Sequence, residues 1–223
     1  MTDRVEAERE PLKLRERAYD AFTHHLLARN IRPGQFVSQR ELVELTSLPL
    51  GAIRELVPRL EAEGLIRTVP QRGMQIAHID LTLIRDAFQF RLFMEKEATA
   101  LFATSASDAT LRQLRSAHED ILRRAAEGIT PALVAEAQQV DWGLHDQVID
   151  ALGNEIISNA YRVNSIKIRL IREERVRILD RLLVSVMQEH MRILDAFDAR
   201  DPAAAVKAVE EHIASSRARA LGV

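Results

Sequence analysis

The sequence predicts a mainly α protein in two parts: an N-terminal winged helix-turn-helix followed by an all-α helical bundle. Three observations carry that prediction. Ala, Leu, Arg and Glu dominate, all good helix formers, while aromatic residues make up 4% and glycines number 8 in 223 residues. Apolar residues recur three and four apart along most of the chain, the period of a helix packed on one face. Short runs that alternate by twos flank Pro70-Gln71-Arg72-Gly73, as in a hairpin. The length suits one large domain or two modest ones.

Taken in order, residues 1–11 are charged and aperiodic and read as a disordered arm. From Leu12 to Arg29 the apolar positions Leu14, Ala18, Ala21, Phe22, Leu26 and Leu27 keep helical spacing, and Arg32-Pro33-Gly34 ends that helix. Ser38 stands three residues before Glu41, a capping-box signature opening a helix to about Leu45. Thr46–Pro49 makes a turn, a third helix runs from about Leu50 to Ala62, and Gly64 is placed to end it. Two strands, 65–69 and 74–77, complete a winged helix-turn-helix over 12–79. From residue 80 to 223 the pattern is helical, with helices near 81–104, 108–127, 131–151, 154–180, 183–199 and 202–219. Their breaks fall at Ser105–Asp108, Gly128–Pro131, Gly153-Asn154 and Asp201-Pro202. The 154–180 segment loses phase near Leu179–Arg181, so the bundle holds six or seven helices.

Composition narrows the chemistry. The formal charge of −2 carries no global basic excess, so a nucleic-acid footprint must be local. Residues 12–79 carry +3 and residues 80–223 carry −3, a modest segregation in the sense expected of a DNA-binding module beside a neutral-to-acidic domain. The absence of cysteine excludes disulfides, thiolate nucleophiles and Cys-ligated metal centres. The charged N-terminus is unlike a signal peptide, and no apolar run approaches the length of a membrane span, so a cytoplasmic protein without membrane attachment is expected.

In a helix-turn-helix the second helix enters the major groove while neighbouring cations fix the phosphates. Here that helix carries Arg54 and Arg59, Arg40 sits on the helix before it, and Arg72 with Gly73 forms the wing tip. Arginine can bond guanine bidentately, and a glycine tip lets backbone approach the minor groove. The blocks Ser38-Gln39-Arg40-Glu41-Leu42, Ile53-Arg54-Glu55-Leu56 and Arg59-Leu60-Glu61-Ala62-Glu63-Gly64-Leu65-Ile66 resemble the GntR family of bacterial transcription regulators. The resemblance implies homodimers on double-stranded operator DNA, with contacts from positions matching Arg40, Arg54, Arg72 and Gly73. Pro49-Leu50-Gly51-Ala52 departs from the family's Ser-Arg-Thr-Pro, which removes the usual N-cap hydroxyl and a base-reading arginine. Pro58, inside the recognition helix, removes a backbone donor and predicts a kink or a cost of about 3 kcal/mol.

Four residues stand out in the second part: Asp141, His145, His190 and His212. Asp141 and His145 are spaced i, i+4 on a face shared with Ala137, Leu144 and Val148. His190 lies on a stripe with Leu183, Met187, Leu194 and Phe197. The turn at Asp201-Pro202 is eleven residues from both His190 and His212, so in an antiparallel hairpin the two imidazoles lie side by side. Singly, each histidine reads as an ordinary core residue. As a set, a buried carboxylate with three imidazoles is costly unless something satisfies it, and a divalent transition metal does so: zinc first, with nickel, iron or manganese as alternatives.

The pattern Asp141-x-x-Leu144-His145, Glu189-His190-x-x-Ile193-Leu194-x-Ala196-Phe197, Asp201-Pro202-x-x-Ala205 and His212-Ile213 resembles the FCD effector domain that accompanies this winged helix, in its FadR-like branch. Six helices would bring it closer to the VanR-like type. The resemblance implies that the Asp and three His residues bind a metal that helps hold a small carboxylate effector. Arg91, on the apolar stripe Ile84, Ala87, Phe88, Met94 and Ala98, either pairs with Glu95 in the core or offers its fork to an organic anion, and the family favours the anion. Asn164 and Arg169 are further candidates for the effector site. The expected function is a ligand-responsive, DNA-binding transcription regulator rather than an enzyme. The alternatives are a metal-dependent hydrolase or lyase of small carboxylates and a DNA-binding regulator whose metal is purely structural.

Overall fold

The computed structural model describes the backbone of residues 2–175 and 179–222, and the side chains of residues 14–172 and 182–222. It divides into two compact units, Met1–Leu83 and Ile84–Val223.

The first unit is built on α1 (Thr2–Leu27), α2 (Gln39–Thr46) and α3 (Leu50–Ala62), with strands β1 (Phe36–Val37), β2 (Ile66–Val69) and β3 (Gly73–Ile76). The arm expected to be disordered over 1–11 is instead, from Thr2 onward, the opening of α1. Its Glu, Ala and Arg content is strongly helix-forming, and helix propagation from the packed turns after it needs no apolar stripe. Ala18, Phe22 and Leu26 of α1 are fully buried, as are Ile53, Leu56 and Leu60 of α3, and the two helices pack on one another. Ser38 makes the anticipated capping box: Ser38 Oγ accepts from the Glu41 N–H, and Glu41 accepts from the Ser38 N–H at 2.6 Å. Pro49 caps α3 without a side-chain bond, as the missing hydroxyl implies.

Pro58 does not interrupt α3, which runs unbroken to Ala62. Pro58 and Arg54, four residues before it, are both exposed, so water can serve the carbonyl that the missing N–H leaves. Gly64 follows the C-cap with φ +67°, a conformation that favours glycine. The sheet order is β1-β3-β2, antiparallel throughout, with Val69 opposite Gly73 and Phe36 opposite Gln75. Two-residue β1 is a strand that the sequence pattern does not reveal, since it is too short to show alternation.

The second unit is a bundle of six helices among the described residues: α4 (Leu81–Ser105), α5 (Asp108–Glu127), α6 (Pro131–Asp150), α7 (Glu155–Arg175), α8 (Leu179–Asp198) and α9 (Pro202–Leu221). Ser107, Thr130 and Asp201 cap α5, α6 and α9 through side-chain oxygens, and Pro131 and Pro202 occupy first helical turns. The long helix expected over 154–180 ends at Arg175 and α8 begins at Leu179, earlier than expected; residues 176–178 between them lie outside the described residues. Helix α8 is central, packing against α5, α6 and α9. Its Met187, Leu194 and Phe197 are buried, with Phe197 against Phe102 of α4 at 5.0 Å between ring centroids. Among the described residues, no helix is long and apolar enough to cross a membrane.

Candidate functional site

Asp141 and His145 on α6, His190 on α8 and His212 on α9 converge inside the bundle, all buried, with one donor atom from each within 4.8 Å of the others. His190 Nε2 lies 3.4 Å from Asp141 Oδ1 and 3.4 Å from His212 Nε2, and His145 Nε2 lies 3.5 Å from Asp141 Oδ1. Donors about 2.1 Å from a tetrahedral ion stand about 3.4 Å apart, so these separations suit one shared cation.

Each of the four residues has one polar atom set outward against a neighbouring side chain, leaving the other turned inward. His212 Nδ1 meets Glu189 Oε2 at 2.8 Å, and Glu189 is itself held by Arg219 at 2.8 and 3.1 Å. His145 Nδ1 lies 2.8 Å from Glu95 Oε2. His190 Nδ1 lies 3.1 Å from His118 Nε2, while His118 Nδ1 is 2.7 Å from the Leu114 carbonyl. A carbonyl only accepts, so His118 carries its proton on Nδ1 and its Nε2 accepts from His190 Nδ1–H. Asp141 Oδ2 accepts from Arg172, and buried Asp141 Oδ1 has no hydrogen-bond partner. Three Nε2 lone pairs and one orphaned carboxylate oxygen therefore face a common point, and such outward anchoring is what orients metal ligands.

The ionisation states suit that role. Burial opposes a charge on Asp141, but the Arg172 guanidinium overrides it and holds the carboxyl well below the usual range. Burial, reinforced by His212, keeps His190 neutral, and burial pushes His212 down to about 4 against the hydrogen bond it donates to Glu189. Glu95 raises the His145 pKa against burial. Yet His145 Nε2 faces an Arg91 N–H at 2.6 Å, which only a lone pair can accept, so the ring is neutral with its proton toward Glu95.

Arg91 makes the pair with Glu95 that its i, i+4 spacing suggests. Its Nε donates to Glu95 Oε1 at 2.6 Å, where the Tyr161 hydroxyl also donates at 2.6 Å, and its other edge faces the cluster. Arg91, Asn164 and Arg169 line one pocket together with Trp142 and Tyr161. Asn164 donates to the Ala87 carbonyl at 3.0 Å, and the Arg169 guanidinium stacks on Trp142 at 4.0 Å. Trp142 Nε1 and Arg169 Nε are buried donors without a protein acceptor. A second pocket adjoins Asp141 and His212 and is walled by Leu183, Val186 and Met187.

In the first unit, Arg40 and Arg54 are exposed, Arg40 beside Glu44 at 3.2 Å. Arg72 is exposed at the wing, its guanidinium 4.1 Å over the Phe36 ring. Arg59 and Gly73 both have roles within the fold. Arg59 faces α1 rather than outward, paired with Glu16 and Glu63 at 3.0 Å and stacked 3.7 Å over Tyr19. Gly73 is required by the fold: at φ +88°, an added Cβ would lie 2.9 Å from the Val37 carbonyl oxygen, and the residue pairs with Val69 as the start of β3.

Sequence reasoning missed Glu189, His118 and Arg172, and took Glu95 only as a partner for Arg91. His118 leaves one signal, a histidine on the buried stripe Leu111, Leu114 and Ile121. Glu189 appears only inside the FCD-like pattern, with no role attached, and Arg172 leaves no signal, because their partners come from other helices.

Comparison with known proteins agrees with this architecture. The FCD domain family matches residues 86–215, more than half of the chain. The Nta operon transcriptional regulator of Aminobacter aminovorans is 25% identical over 143 residues, 64% of this chain and 66% of its own length, so the match spans just under two thirds of that relative. The HTH-type transcriptional regulator LutR of Bacillus subtilis is 25% identical over 203 residues, 82% of this chain and 90% of its own. The crystal structure of a GntR transcriptional regulator from Rhodococcus sp. RHA1 shares the fold, with a TM-score of 0.74 at 16% identity, covering 94% of this chain and 98% of that one. Both curated relatives are named as transcriptional regulators.

Proposed function

Because the chain belongs to the FCD domain family of GntR-type transcriptional regulators, we propose that it binds operator DNA as a homodimer and senses a small organic acid at a metal site formed by Asp141, His145, His190 and His212. The observation that carries this reading is the inward convergence of three neutral Nε2 atoms and the orphaned Asp141 Oδ1, each anchored from behind. That donor set fits a divalent transition metal, zinc first among zinc, nickel, iron and manganese. When bound, such an ion supplies a positive centre that attracts a carboxylate.

The protein's own residues do the remaining work. Arg169 and Trp142 offer buried N–H donors that lack acceptors, in the cavity that Arg91 and Asn164 also line. An anion with several oxygens satisfies such donors, whereas an apolar ligand leaves them unpaired. Ligand binding changes DNA affinity to the extent that it favours one arrangement of the bundle over another. Exposed Arg54 on α3 and Arg40 and Arg72 beside it supply the base and phosphate contacts. Phe93 and Leu101, exposed on α4 and eight residues apart, offer one helix face for the second copy.

The test is selection of a preferred duplex from random DNA by zinc-loaded protein, followed by titration with a panel of small carboxylates. A preferred sequence whose affinity shifts with one of the acids supports the reading. Absence of any sequence preference overturns the DNA assignment, and a preferred duplex unmoved by every acid overturns the sensing one.

A further inference from the structure

Arg91 does more than line the cavity. It is almost fully buried, and a guanidinium can only donate. One of its terminal nitrogens lies 2.6 Å from His145 Nε2 and 3.5 Å from His212 Nε2. Two of the three imidazole lone pairs that a cation needs are thus turned toward one protonated nitrogen. Its Nε is meanwhile fixed to Glu95, whose other oxygen lies 2.8 Å from His145 Nδ1. A cation and Arg91 cannot both use the same lone pair, and two like charges at that separation in a buried site repel strongly.

We propose that Arg91 competes directly with the metal, so that ion uptake is an exchange in which the guanidinium surrenders His145 and His212 and turns toward the cavity lined by Tyr161, Asn164 and Arg169. The inference rests on the reading of Asp141, His145, His190 and His212 as metal ligands. The exchange sets affinity below what the four donors alone would give. It also frees N–H groups in the cavity that already holds the unpartnered Arg169 Nε and Trp142 Nε1. Arg91 is in this sense a positioning and affinity-setting residue, distinct from the ligands.

The test is zinc affinity by competition with a chromophoric chelator for wild type, Arg91→Lys, Arg91→Met and His190→Ala, with helical content followed by circular dichroism. Lys at this position keeps a charge for Glu95 but lacks the fork that serves Glu95 and His145 together. Met removes the competitor altogether and, by leaving Glu95 without its cation, is the riskier variant for folding. The expected result is zinc binding about tenfold tighter or more in folded Arg91→Lys, and in Arg91→Met if it folds. Equal or weaker binding in folded Arg91→Lys, with His190→Ala still weakened, overturns the exchange and leaves the metal site standing. Equal binding in wild type and His190→Ala overturns the ligand assignment itself, and the exchange with it.

Discussion

His118 Nε2 lies 3.1 Å from His190 Nδ1, and this one contact decides which nitrogen of His190 can bind a cation. His118 is locked by the Leu114 carbonyl one turn back on its own helix, so its Nε2 is bare and must accept. The His190 proton is therefore held on Nδ1, and the Nε2 lone pair faces Asp141 and His212. A helix-backbone carbonyl is in this way read through two imidazoles into the centre of the bundle.

Replacing His118 with Phe keeps a ring in the same space and removes the acceptor. Zinc affinity is expected to fall about 10- to 100-fold without loss of helical content, the usual cost of losing a partner behind a metal-ligating histidine. Chelator competition beside circular dichroism measures this. Unchanged affinity in a folded variant would mean that His190 does not depend on His118 for its tautomer.

Arg54 and Arg59 lie five residues apart on α3, yet they are expected to behave differently. Arg54 is exposed, so Arg54→Ala should weaken binding to a selected duplex by about tenfold or more, the scale of one good base contact. Arg59 is bound to Glu16, Glu63 and Tyr19, so Arg59→Ala should lower the melting temperature of the N-terminal unit and leave the salt dependence of DNA binding unchanged. Anisotropy titrations at several salt concentrations separate the two effects. A shallower salt slope for Arg59→Ala would restore it to the DNA interface.

Two glycines of the same unit make a second contrast. Gly73→Ala forces a Cβ to within 2.9 Å of a backbone oxygen at positive φ and should destabilise the unit by about 1–3 kcal/mol. Gly51→Ala meets nothing within 4 Å and should stabilise α3 by about 0.5–1 kcal/mol. Denaturant melts of both variants check the pair. Equal effects would contradict the requirement for glycine at the wing.

These contrasts mark what the sequence could reveal. Asp141 and His145 were legible as a pair because i, i+4 spacing on one helix is a local rule, and His190 with His212 because equal distance from Asp201-Pro202 is another. The capping box at Ser38 was legible for the same reason. Glu189, Arg172 and His118 act across helices, and no spacing along one chain segment encodes which face of α5 or α7 meets α6 and α8. Arg59 shows the converse limit: its residue type suited a phosphate, but packing against Tyr19 and Glu16 of α1 claimed it. The helical start of α1 was missed because charged residues without an apolar stripe can still extend a helix that is packed further along.

Metal removal should act on one unit alone. A bound ion at one hundred times its Kd stabilises a site by about 2.7 kcal/mol, so a chelator should lower the melting temperature of the helical bundle. The winged module should be unaffected, since Asp141, His145, His190 and His212 all lie in the second unit. Calorimetry of the zinc-loaded and chelated protein resolves this. A bundle transition that does not move with chelator would contradict a metal-linked core.

The most direct measurement is the metal content of the purified protein beside His190→Ala, by elemental analysis. About one transition metal per chain in the wild type, lost in the variant, is the predicted result. No metal in either, even after loading with zinc or nickel, would contradict the account at its centre.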